Sequence, residues 1–589
     1  MQIFSLVTEY RGRLIVSQVS LFVSAVASVG FATLVAPMVN QGMVEGDAEA
    51  ALRFGFWMLV LAAIAGITMA IAASQAVFFS QGVGYVIRTR LYDKIQEYTF
   101  ENFDHLSSSQ LMVRLNADVV NVQNAMLYAI LLALYAPFML IATLILSIIN
   151  TPDLVWVLLV VMVVVVMVLF LLIPPIVRAY HKRQHHLDSI NRTLTENLSA
   201  MAVVKAFIRE DYEVDKFDAP ADLMRAASYK AAWRVAFLAP MQTGIGQLGV
   251  ILALWVGGTQ ILTGSGMTVG QMSAFTTYLG LVIAPLALIA IVIPFVLRGD
   301  VSAGRILEAY DIEPTITERD PVAQLDPTEV KGRVVFEDVS FSFVRPDGKI
   351  DSPVLRHINL TIEPGQKVGF LGATGSGKTT LVNLIPRFYD PTEGRITIDG
   401  ADIADLSRDD LRAIVGIALQ EAILFQGDLR FNLKFANVDV SDDVVIDAAK
   451  AADAYGFASN LPGGWEAPVA RRGYNFSGGQ RQRLSITRAL TAQPKIIILD
   501  DSTSALDAST EGRVQEEIPV FMDHGTVIYV AQRISAVIDL DHIYLLESGE
   551  IVAEGTHEEL LATSPLYQEI YESQLGEGIT EGLDLTVAE

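Results

Sequence analysis

The most informative segment of the chain reads Lys367-Val368-Gly369-Phe370-Leu371-Gly372-Ala373-Thr374-Gly375-Ser376-Gly377-Lys378-Thr379. It begins as an apolar strand, continues as a glycine-rich loop of the form GxxxxGKT, and runs into a helical stretch that starts at Thr380. This order of elements is typical of a P-loop, whose backbone N–H groups and helix N-terminus contact phosphate oxygens. We therefore expect residues 372–380 to bind a nucleotide.

A magnesium site is predicted at the end of the same segment. Lys378 is placed to reach the β- and γ-phosphates, and the Thr379 hydroxyl to bind Mg²⁺. Farther along, the apolar strand Ile496–Leu499 ends in Asp500, and such a carboxylate beside a P-loop is where Mg²⁺ is held. Asp501 follows directly, and two adjacent carboxylates need a counter-charge. ATP and Mg²⁺ are therefore the expected cofactors.

The composition indicates two unlike parts. The 589 residues are 52% hydrophobic, yet the net charge is −24. Residues 1–329 contain 20 Lys and Arg against 26 Asp and Glu, whereas the remainder contains 22 against 40. Most of the acidity therefore belongs to the C-terminal part. The negative net charge argues against a nucleic-acid partner, and the high apolar content argues against disorder. The absence of cysteine excludes a disulfide scaffold, a Cys-ligated zinc site and a thiol nucleophile.

The N-terminal part contains apolar stretches of the length that crosses a membrane, about 20 residues each. We predict six spans, at 14–39, 54–80, 125–150, 154–177, 235–262 and 270–297. The connections after the second and fourth spans are long and basic, so the positive-inside rule makes them cytoplasmic. Both termini and everything after residue 300 are then cytoplasmic as well. Helical spacing in these connections predicts long helical extensions of the spans, with plain solvated loops as the alternative.

Four further motifs carry a resemblance to a known family. Ser477-Gly478-Gly479-Gln480 resembles the ABC signature motif, because it lies about 20 residues before the strand that ends in Asp500. Gln420 lies where the family has its Q-loop, and Phe343 where it has an aromatic ring that stacks on adenine. Ser504-Ala505-Leu506-Asp507 resembles the D-loop. Over essentially its whole length the chain is similar to half-transporters of the bacterial multidrug ABC exporter family.

The resemblance implies a fold and an assembly. The fold would be an α-helical transmembrane domain of the type 1 exporter kind, followed by an α/β P-loop NTPase domain. We expect the transmembrane domain over 1–310, a linker over 311–329, the nucleotide-binding domain over 330–573 and an acidic tail over 574–589. Family members form dimers in which each ATP lies between one chain's P-loop and the other's signature motif. Thr379, Gln420 and Asp500 would hold Mg²⁺, and coupling helices would lie near Ser107–Val113 and Ala202–Phe207.

Three positions depart from the family pattern. Asp501 stands where the family has its catalytic Glu, and its carboxylate reaches less far by about 1.5 Å. Gln532 stands where the family has its switch His, and a glutamine carries neither charge nor a transferable proton. Arg471-Arg472-Gly473 replaces the acidic residue usual before the signature motif. We therefore expect this chain to bind ATP and to hydrolyse it slowly at its own site, while its signature motif serves a partner's catalytic site.

The expected protein is a subunit of a heterodimeric exporter in the cell membrane, in contact with lipid, that moves hydrophobic or amphipathic compounds such as drugs or lipids. A homodimer with two slow sites is the alternative assembly. An importer on the same scaffold, for example for siderophores, and an ATP-gated channel are the alternative functions. The spans lack ionisable residues near their middles, which speaks against proton coupling. Possible cavity-lining residues are Tyr128, Tyr135, Met241, Phe275 and Tyr278, and the alternative is that most of them face lipid or neighbouring helices.

Overall fold

The computed structural model describes residues 8–264, 266–318, 325–326, 329–345 and 349–583. The chain divides into two compact units, the first formed by Met1–Glu97 and Ser108–Ile312, the second by Tyr98–Ser107 and Glu313–Glu589. Within the predicted linker, residues 311–318 form neither helix nor strand, and residues 319–324, 327 and 328 lie outside the described ranges. The predicted tail begins inside a helix that continues to Leu583, and residues 584–589 lie outside the described ranges.

The described part of the first unit is built from helices. Short π-helical segments at Met38–Val44, Arg114–Asp118 and Ala129–Ala133 and 3₁₀ turns at Thr8–Tyr10 and Pro152–Leu154 connect several of them. Up to residue 310 the α-helices in chain order are α1 Arg11–Thr33, α2 Val35–Pro37, α3 Ala48–Gln96, α4 Phe100–His105, α5 Ser108–Val113, α6 Val119–Tyr128, α7 Tyr135–Asn150, α8 Val155–Ser199, α9 Met201–Ala206, α10 Glu210–Ala236, α11 Leu238–Leu262 and α12 Val269–Tyr310.

Several of these helices have the length and hydropathy of membrane spans. Among the described residues five helical stretches qualify: Arg11–Val44, Ala48–Gln96, Ser108–Asn150, Pro152–Ser199 and Glu210–Leu262. The sixth predicted span, 270–297, falls within α12, a 42-residue helix. Five spans are thus supported by length and composition, and the count of six stays a prediction.

Two helices are much longer than a bilayer requires. The helix α3 has 49 residues and α8 has 45. At about 1.5 Å per residue they measure roughly 74 and 68 Å, against about 30 Å for the hydrocarbon core. Each helix is therefore long enough to extend well beyond the membrane, as the helical spacing of the sequence predicts.

The core of the first unit contains two of the predicted cavity-lining residues. Phe275 and Tyr278 are 0% exposed and pack in one apolar cluster with residues of α1 and α8. The Tyr278 hydroxyl lies 2.7 Å from Thr33 Oγ1. In this structure both side chains are enclosed by neighbouring helices, which is the alternative to a position lining the cavity. Their spans are apolar on every side, and such a sequence carries no periodicity that identifies the inner face.

The second unit is an α/β fold with three sheets. A six-stranded sheet has the order β12-β11-β3-β10-β9-β6, parallel except for the edge strand β12, and a four-stranded antiparallel sheet has the order β2-β1-β4-β5. The strands β7 and β8 form a small pair. The strands are β1 Val334–Phe341, β2 Leu355–Ile362, β3 Lys367–Leu371, β4 Glu393–Ile398, β5 Ala401–Asp402, β6 Val415–Ala418, β7 Gly427–Asp428, β8 Pro468–Val469, β9 Ile496–Asp500, β10 Thr526–Ala531, β11 His542–Glu547 and β12 Glu550–Gly555.

One face of the six-stranded sheet packs against the four-stranded sheet, and helices cover its other face. Ile496 and Ile498 of β9 belong to a core shared with β1 and β2, whereas Ile497 and Leu499 belong to a core shared with helices. A parallel strand buried on both faces explains the uninterrupted apolar run of its sequence. The helices are α13 Lys378–Leu384, α14 Arg408–Ile414, α15 Leu429–Leu433, α16 Asp442–Ala451, α17 Tyr455–Ala458, α18 Gly478–Leu490, α19 Ala508–Met522, α20 His557–Thr563 and α21 Pro565–Leu583, with 3₁₀ turns at Gly464–Glu466, Arg471–Gly473 and Ile534–Ala536.

One segment from the N-terminal half belongs to the second unit. Within residues 98–107, the Phe100 ring stacks on Phe388 with centroids 4.2 Å apart, and the Tyr389 hydroxyl donates to the Asp104 carboxylate at 3.0 Å. The sequence interpretation placed this coupling segment at Ser107–Val113, but α5 belongs to the first unit. The segment of the N-terminal half that packs within the second unit therefore lies one helix earlier than predicted.

Candidate nucleotide-binding site

A cavity of about 210 Å³ lies at the carboxyl ends of β3, β9 and β10. Carboxyl ends of parallel strands meet at one edge of a sheet, which is the usual position for a ligand site in this fold class. Most residues around it come from the P-loop and from the ends of β9 and β10. The lining residues are Val354, Thr374, Gly375, Gly377, Lys378, Thr379, Thr380, Gln420, Asp500, Asp501, Val530, Ala531 and Gln532.

The backbone of the P-loop requires glycine at Gly377, directly before α13. Its φ is +102°, and a Cβ there would lie 2.8 Å from Leu355 Cδ2 and 3.2 Å from the Val354 carbonyl oxygen. A side chain would thus be both strained and crowded. Glycine allows the loop to turn tightly into the helix, so that the helix N-terminus faces the cavity.

Lys378 is held inside the loop by the loop's own carbonyls. Its ammonium donates to the carbonyl oxygens of Gly372 at 2.7 Å and Ala373 at 2.9 Å, and the side chain is 7% exposed. Burial lowers the pKa of Lys378, an effect opposed by the charges of Asp501 and Asp500. The P-loop therefore keeps a cation at the cavity wall, where it can contact phosphate oxygens.

Thr379 and Asp500 form the oxygen pair expected for a magnesium site. The Thr379 hydroxyl donates to Asp500 Oδ1 at 3.0 Å, and Asp500 is 1% exposed. Burial raises the pKa of Asp500, as does the charge of Asp501, while the Thr379 hydrogen bond and Lys378 lower it. Hydroxyl and carboxylate oxygens are the donors that Mg²⁺ prefers. The residues present therefore fit a magnesium ion bound together with ATP phosphates.

A second polar atom of the loop also fits a phosphate ligand. The hydroxyl of Ser376 is buried and has no hydrogen-bond partner among the described residues. Buried polar groups are nearly always paired in native proteins, and this hydroxyl is available to hydrogen-bond a ligand of the loop.

Asp501 faces the cavity beside Asp500, with its backbone in the left-handed region at φ +47°. Its N–H donates to the Val530 carbonyl at 3.0 Å, which fixes the backbone against β10. Gln420 Nε2 donates to Asp501 Oδ2 at 3.3 Å. The structure thus brings the Q-loop residue and the carboxylate at the catalytic position into contact.

Gln532 also lines the cavity, directly after β10, and is exposed. Its Oε1 accepts a hydrogen bond from Thr374 Oγ1 at 3.1 Å. An amide at this position offers Nε2 hydrogens to a phosphate but supplies no positive charge.

The signature motif and D-loop lie apart from this cavity but against each other. Ser477 caps α18: its Oγ accepts from Gln480 N–H at 3.3 Å, and its own N–H donates to Gln480 Oε1 at 2.9 Å. A Cβ on Gly479 would lie 3.1 Å from the Ala505 carbonyl oxygen. The side chains of Ser504 and Leu506 complete this loop, and Asp507 caps α19 by accepting from Thr510 N–H at 3.0 Å. None of these residues lines the cavity within the described chain, and Ser477 and Gly478 are exposed.

Two other predicted site residues lie elsewhere. Phe343 packs in an aromatic cluster, with its ring centroid 4.9 Å from that of Phe341 and 5.5 Å from that of Tyr389, and is not among the residues lining the cavity. Its role in stacking on adenine stays a prediction. Arg472, just before the signature motif, has φ +58° and pairs with Glu421 at 2.6 Å.

The sequence interpretation missed some residues of the site. Val354, Val530 and Ala531 line the cavity through long-range packing, and no motif marks them. Gln482 was also missed. Its Oε1 accepts from Ala505 N–H at 3.0 Å and its Nε2 donates to Ser504 Oγ at 3.3 Å, so it joins the signature helix to the D-loop.

Comparison with known proteins gives consistent results. The family model described as ABC transporter transmembrane region matches residues 14–286, and that described as ABC transporter matches residues 355–504. The chain is 34% identical over 92% of its length to the uncharacterized ABC transporter ATP-binding protein YfiB of Bacillus subtilis, covering 93% of it. It is 31% identical over 98% of its length to the ATP-dependent lipid A-core flippase of Syntrophus aciditrophicus, covering 94%.

A solved structure has the same fold. A bacterial Atm1-family ABC exporter with ATP bound matches with a TM-score of 0.78 and 23% identity, covering 96% of this chain and 98% of that one. That likeness shows the fold, and the full-length relatives show the family. The chain therefore belongs to the ABC transporter family, as a multi-pass membrane protein in which one transmembrane region and one ABC ATPase domain form a half-transporter with the exporter fold.

Proposed function

We propose that this chain is one half of a heterodimeric ATP-driven exporter, and that its own ATP site binds nucleotide but hydrolyses it slowly. The observation that carries the proposal is the position of Asp501. Its carboxylate lines the cavity at the place of the catalytic base and contacts Gln420 at 3.3 Å. The site is therefore assembled around a residue that is one methylene too short.

Binding is supported by the complete phosphate-contacting half of the site. Lys378 is held at the cavity wall, and Thr379 and Asp500 offer a magnesium donor pair with oxygens 3.0 Å apart. These groups act on the ground state as well as on the transition state. They account for affinity and for retention of Mg²⁺–ATP, independently of how fast the γ-phosphate is cleaved.

Slow hydrolysis follows from the two substituted positions. A general base must come within about 3 Å of the attacking water, and a misplacement of about 1 Å can cost on the order of 100-fold in rate. A backbone shift that advances Asp501 is opposed by the hydrogen bond from its N–H to the Val530 carbonyl at 3.0 Å. Gln532 donates neutral hydrogen bonds, which are weaker than those of a charged imidazolium.

The signature motif supports a role in a second site. Ser477 and Gly478 are exposed and lie outside the chain's own ATP cavity. The cap engages the N–H groups of Ser477 and Gln480, whereas those of Gly478 and Gly479 lie outside it, so the N-terminal end of α18 can contact an anion supplied by another chain. We propose that this chain completes the hydrolytic site of a partner half-transporter that carries Glu and His at the two substituted positions.

A lipid or another amphipathic molecule is the proposed cargo. Two relatives, in Syntrophus aciditrophicus and Desulfotalea psychrophila, are named ATP-dependent lipid A-core flippases and are 31% and 33% identical to this chain. The spans of this chain carry no Asp, Glu, Lys or Arg near their middles, which suits an apolar passenger better than an ion. In this proposal both termini and the ATPase domain lie on the cytoplasmic side.

The test begins with the native assembly. The chain should be purified from its own membranes with an affinity tag, and the proposal expects a second half-transporter in equal amount. Reconstituted in vesicles, the pair should hydrolyse ATP and move a fluorescent lipid analogue away from the side on which ATP is added. The transport rate is compared with that of the same pair carrying Lys378→Ala in this chain, which we expect to bind ATP poorly at this chain's own site. Recovery of this chain alone, with brisk ATP turnover, would contradict the heterodimer. Accumulation on the ATP side would indicate an importer.

A further inference from the structure

The C-terminal helix α21 contacts the loop that carries Gln532. Gln574 Nε2 donates to the Gln532 carbonyl oxygen at 3.0 Å, and Gln574 Oε1 accepts from the Ile534 N–H at 2.8 Å. Both ends of one amide are thus bonded to the backbone that directly follows β10. No motif in the sequence marks Gln574, and it lies 42 residues from Gln532 along the chain.

The helix that carries Gln574 is itself fixed in the fold. Tyr567, seven residues earlier and therefore on the same helix face, is 0% exposed, and its hydroxyl lies 2.7 Å from His557 Nδ1. Ile570 and Tyr571 pack against the core on the helical side of the large sheet. Gln574 consequently projects from an anchored support and can hold the loop in one place.

Gln532 is a residue for which such support matters. Its side chain is fixed toward the P-loop by a hydrogen bond from Thr374 at 3.1 Å, and its backbone by Gln574 at 3.0 Å. Because the side chain is exposed and uncharged, no strong electrostatic attraction draws it toward a phosphate. Its usefulness then depends on being held in position before the nucleotide arrives.

We propose that Gln574 is a positioning residue of the ATP site, which holds the loop at 532–534 so that the Gln532 amide meets the γ-phosphate. The C-terminal helix thereby becomes part of the machinery that distinguishes ATP from ADP. This proposal rests on the proposed function, in which this chain's own site binds ATP, and on the premise that Gln532, at the position of the switch His, faces the γ-phosphate.

The test measures equilibrium binding of Mg²⁺–ATP and Mg²⁺–ADP to the purified full-length chain. Gln574→Ala removes both hydrogen bonds, and we expect the Kd for ATP to rise about three- to tenfold while the Kd for ADP stays within about twofold. ADP lacks the group that Gln532 would contact. The matched control is Gln568→Ala on the same helix, which removes a side-chain bond to the Leu561 carbonyl and should change neither constant.

A double-mutant cycle separates this proposal from the proposed function. If Gln532→Ala alone weakens ATP but not ADP, Gln532 acts on the γ-phosphate, and Gln574→Ala should then add nothing in the Gln532→Ala background. Equal weakening of ATP and ADP by Gln574→Ala, or full additivity with Gln532→Ala, would overturn the positioning role and leave the role of Gln532 intact. If Gln532→Ala leaves the ratio of ATP to ADP affinity unchanged, the premise taken from the proposed function is wrong. We expect faster amide hydrogen exchange over residues 530–536 in Gln574→Ala. Unchanged exchange there would contradict the proposal that Gln574 holds this loop in position.

Discussion

The two ends of the ATP cavity differ in how they are built. At the P-loop end, Lys378 and Asp500 are 7% and 1% exposed and are held by hydrogen bonds of 2.7 to 3.0 Å. At the other end, Gln532 is exposed and Asp501 is partly exposed, and their side chains are held by contacts of 3.1 and 3.3 Å. The P-loop end is part of the folded core, whereas the end with Gln532 and Asp501, where we propose that the γ-phosphate binds, lies at the surface. Substitutions at that exposed end should therefore disturb the fold and nucleotide binding less than substitutions at the P-loop end.

The largest effect is expected at the buried end. Lys378→Ala removes the cation that the P-loop holds at the cavity wall, and the Kd for Mg²⁺–ATP should rise by about 100-fold or more, because several charge-assisted hydrogen bonds are lost. Equilibrium binding to the purified chain measures this. Lys450→Ala is the control, since that lysine is 57% exposed and pairs with Asp447 on the surface. A change below about threefold for Lys378→Ala would show that the two ends do not differ as described.

A second prediction separates the chain's own site from the site it completes. In the assembled pair, Ser477→Ala should lower steady-state ATP hydrolysis by about 100-fold, the usual effect of removing one hydrogen-bond donor to the developing charge. Asp501→Asn should change the same rate by less than about threefold, because hydrolysis takes place mainly at the partner's site. Both variants should be measured side by side in one preparation. A large loss of ATPase rate for Asp501→Asn with a small loss for Ser477→Ala would place hydrolysis at this chain's own P-loop.

A third prediction concerns the backbone of the buried end. Gly377→Ala should weaken ATP binding about tenfold, because the position has φ +102° and an added Cβ would lie 2.8 Å from Leu355. Gly375→Ala is the matched comparison. It also has a left-handed φ, +84°, but an added Cβ would meet open space, so its effect should be smaller. Titration of both variants with ATP measures these effects. A larger loss of ATP affinity for Gly375→Ala than for Gly377→Ala would contradict this account.

The smallest effect is expected at the exposed end. Thr374→Val removes the hydrogen bond to Gln532 Oε1, a neutral contact of 3.1 Å, and should raise the Kd for ATP by about threefold. Thr380→Val, also at the cavity, serves as a comparison because Thr380 makes no such bond to Gln532. If Thr374→Val raised the Kd for ATP as much as Lys378→Ala does, the two ends of the cavity would not differ as described.

Much of the site could be predicted because its motifs are local. Six consecutive residues, Gly372–Gly377, form the turn from β3 into α13, and the parallel pairing of β3, β10 and β9 brings their carboxyl ends together. Asp500, Asp501 and Gln532 follow the ends of β9 and β10, so their closeness to the P-loop follows from strand order. The two-part architecture, with helices of membrane-spanning length before an ABC ATPase domain, was likewise predictable from hydropathy and motifs.

The remainder depends on long-range packing that the sequence does not encode locally. Gln574 and Gln482 act through contacts to backbone atoms of distant loops, and a glutamine on a helix surface has no distinguishing pattern. The segment 98–107 was placed one helix too late, because several short helices follow one another there. For Phe275 and Tyr278 the sequence left open whether they line a cavity or pack in the core, where they lie, because uniformly apolar spans do not show which face is inward.

The most direct test of the central claim is to restore the two substituted residues. In the assembled pair, with hydrolysis at the partner's site removed by replacing the partner's catalytic Glu with Gln, the steady-state ATPase rate should be compared with and without the double variant Asp501→Glu, Gln532→His in this chain, at saturating Mg²⁺–ATP in lipid nanodiscs. The account predicts a slow rate for the natural sequence and an increase of about 100-fold in the double variant, with the Kd for ATP within about threefold. A natural-sequence rate already equal to that of the double variant would contradict it.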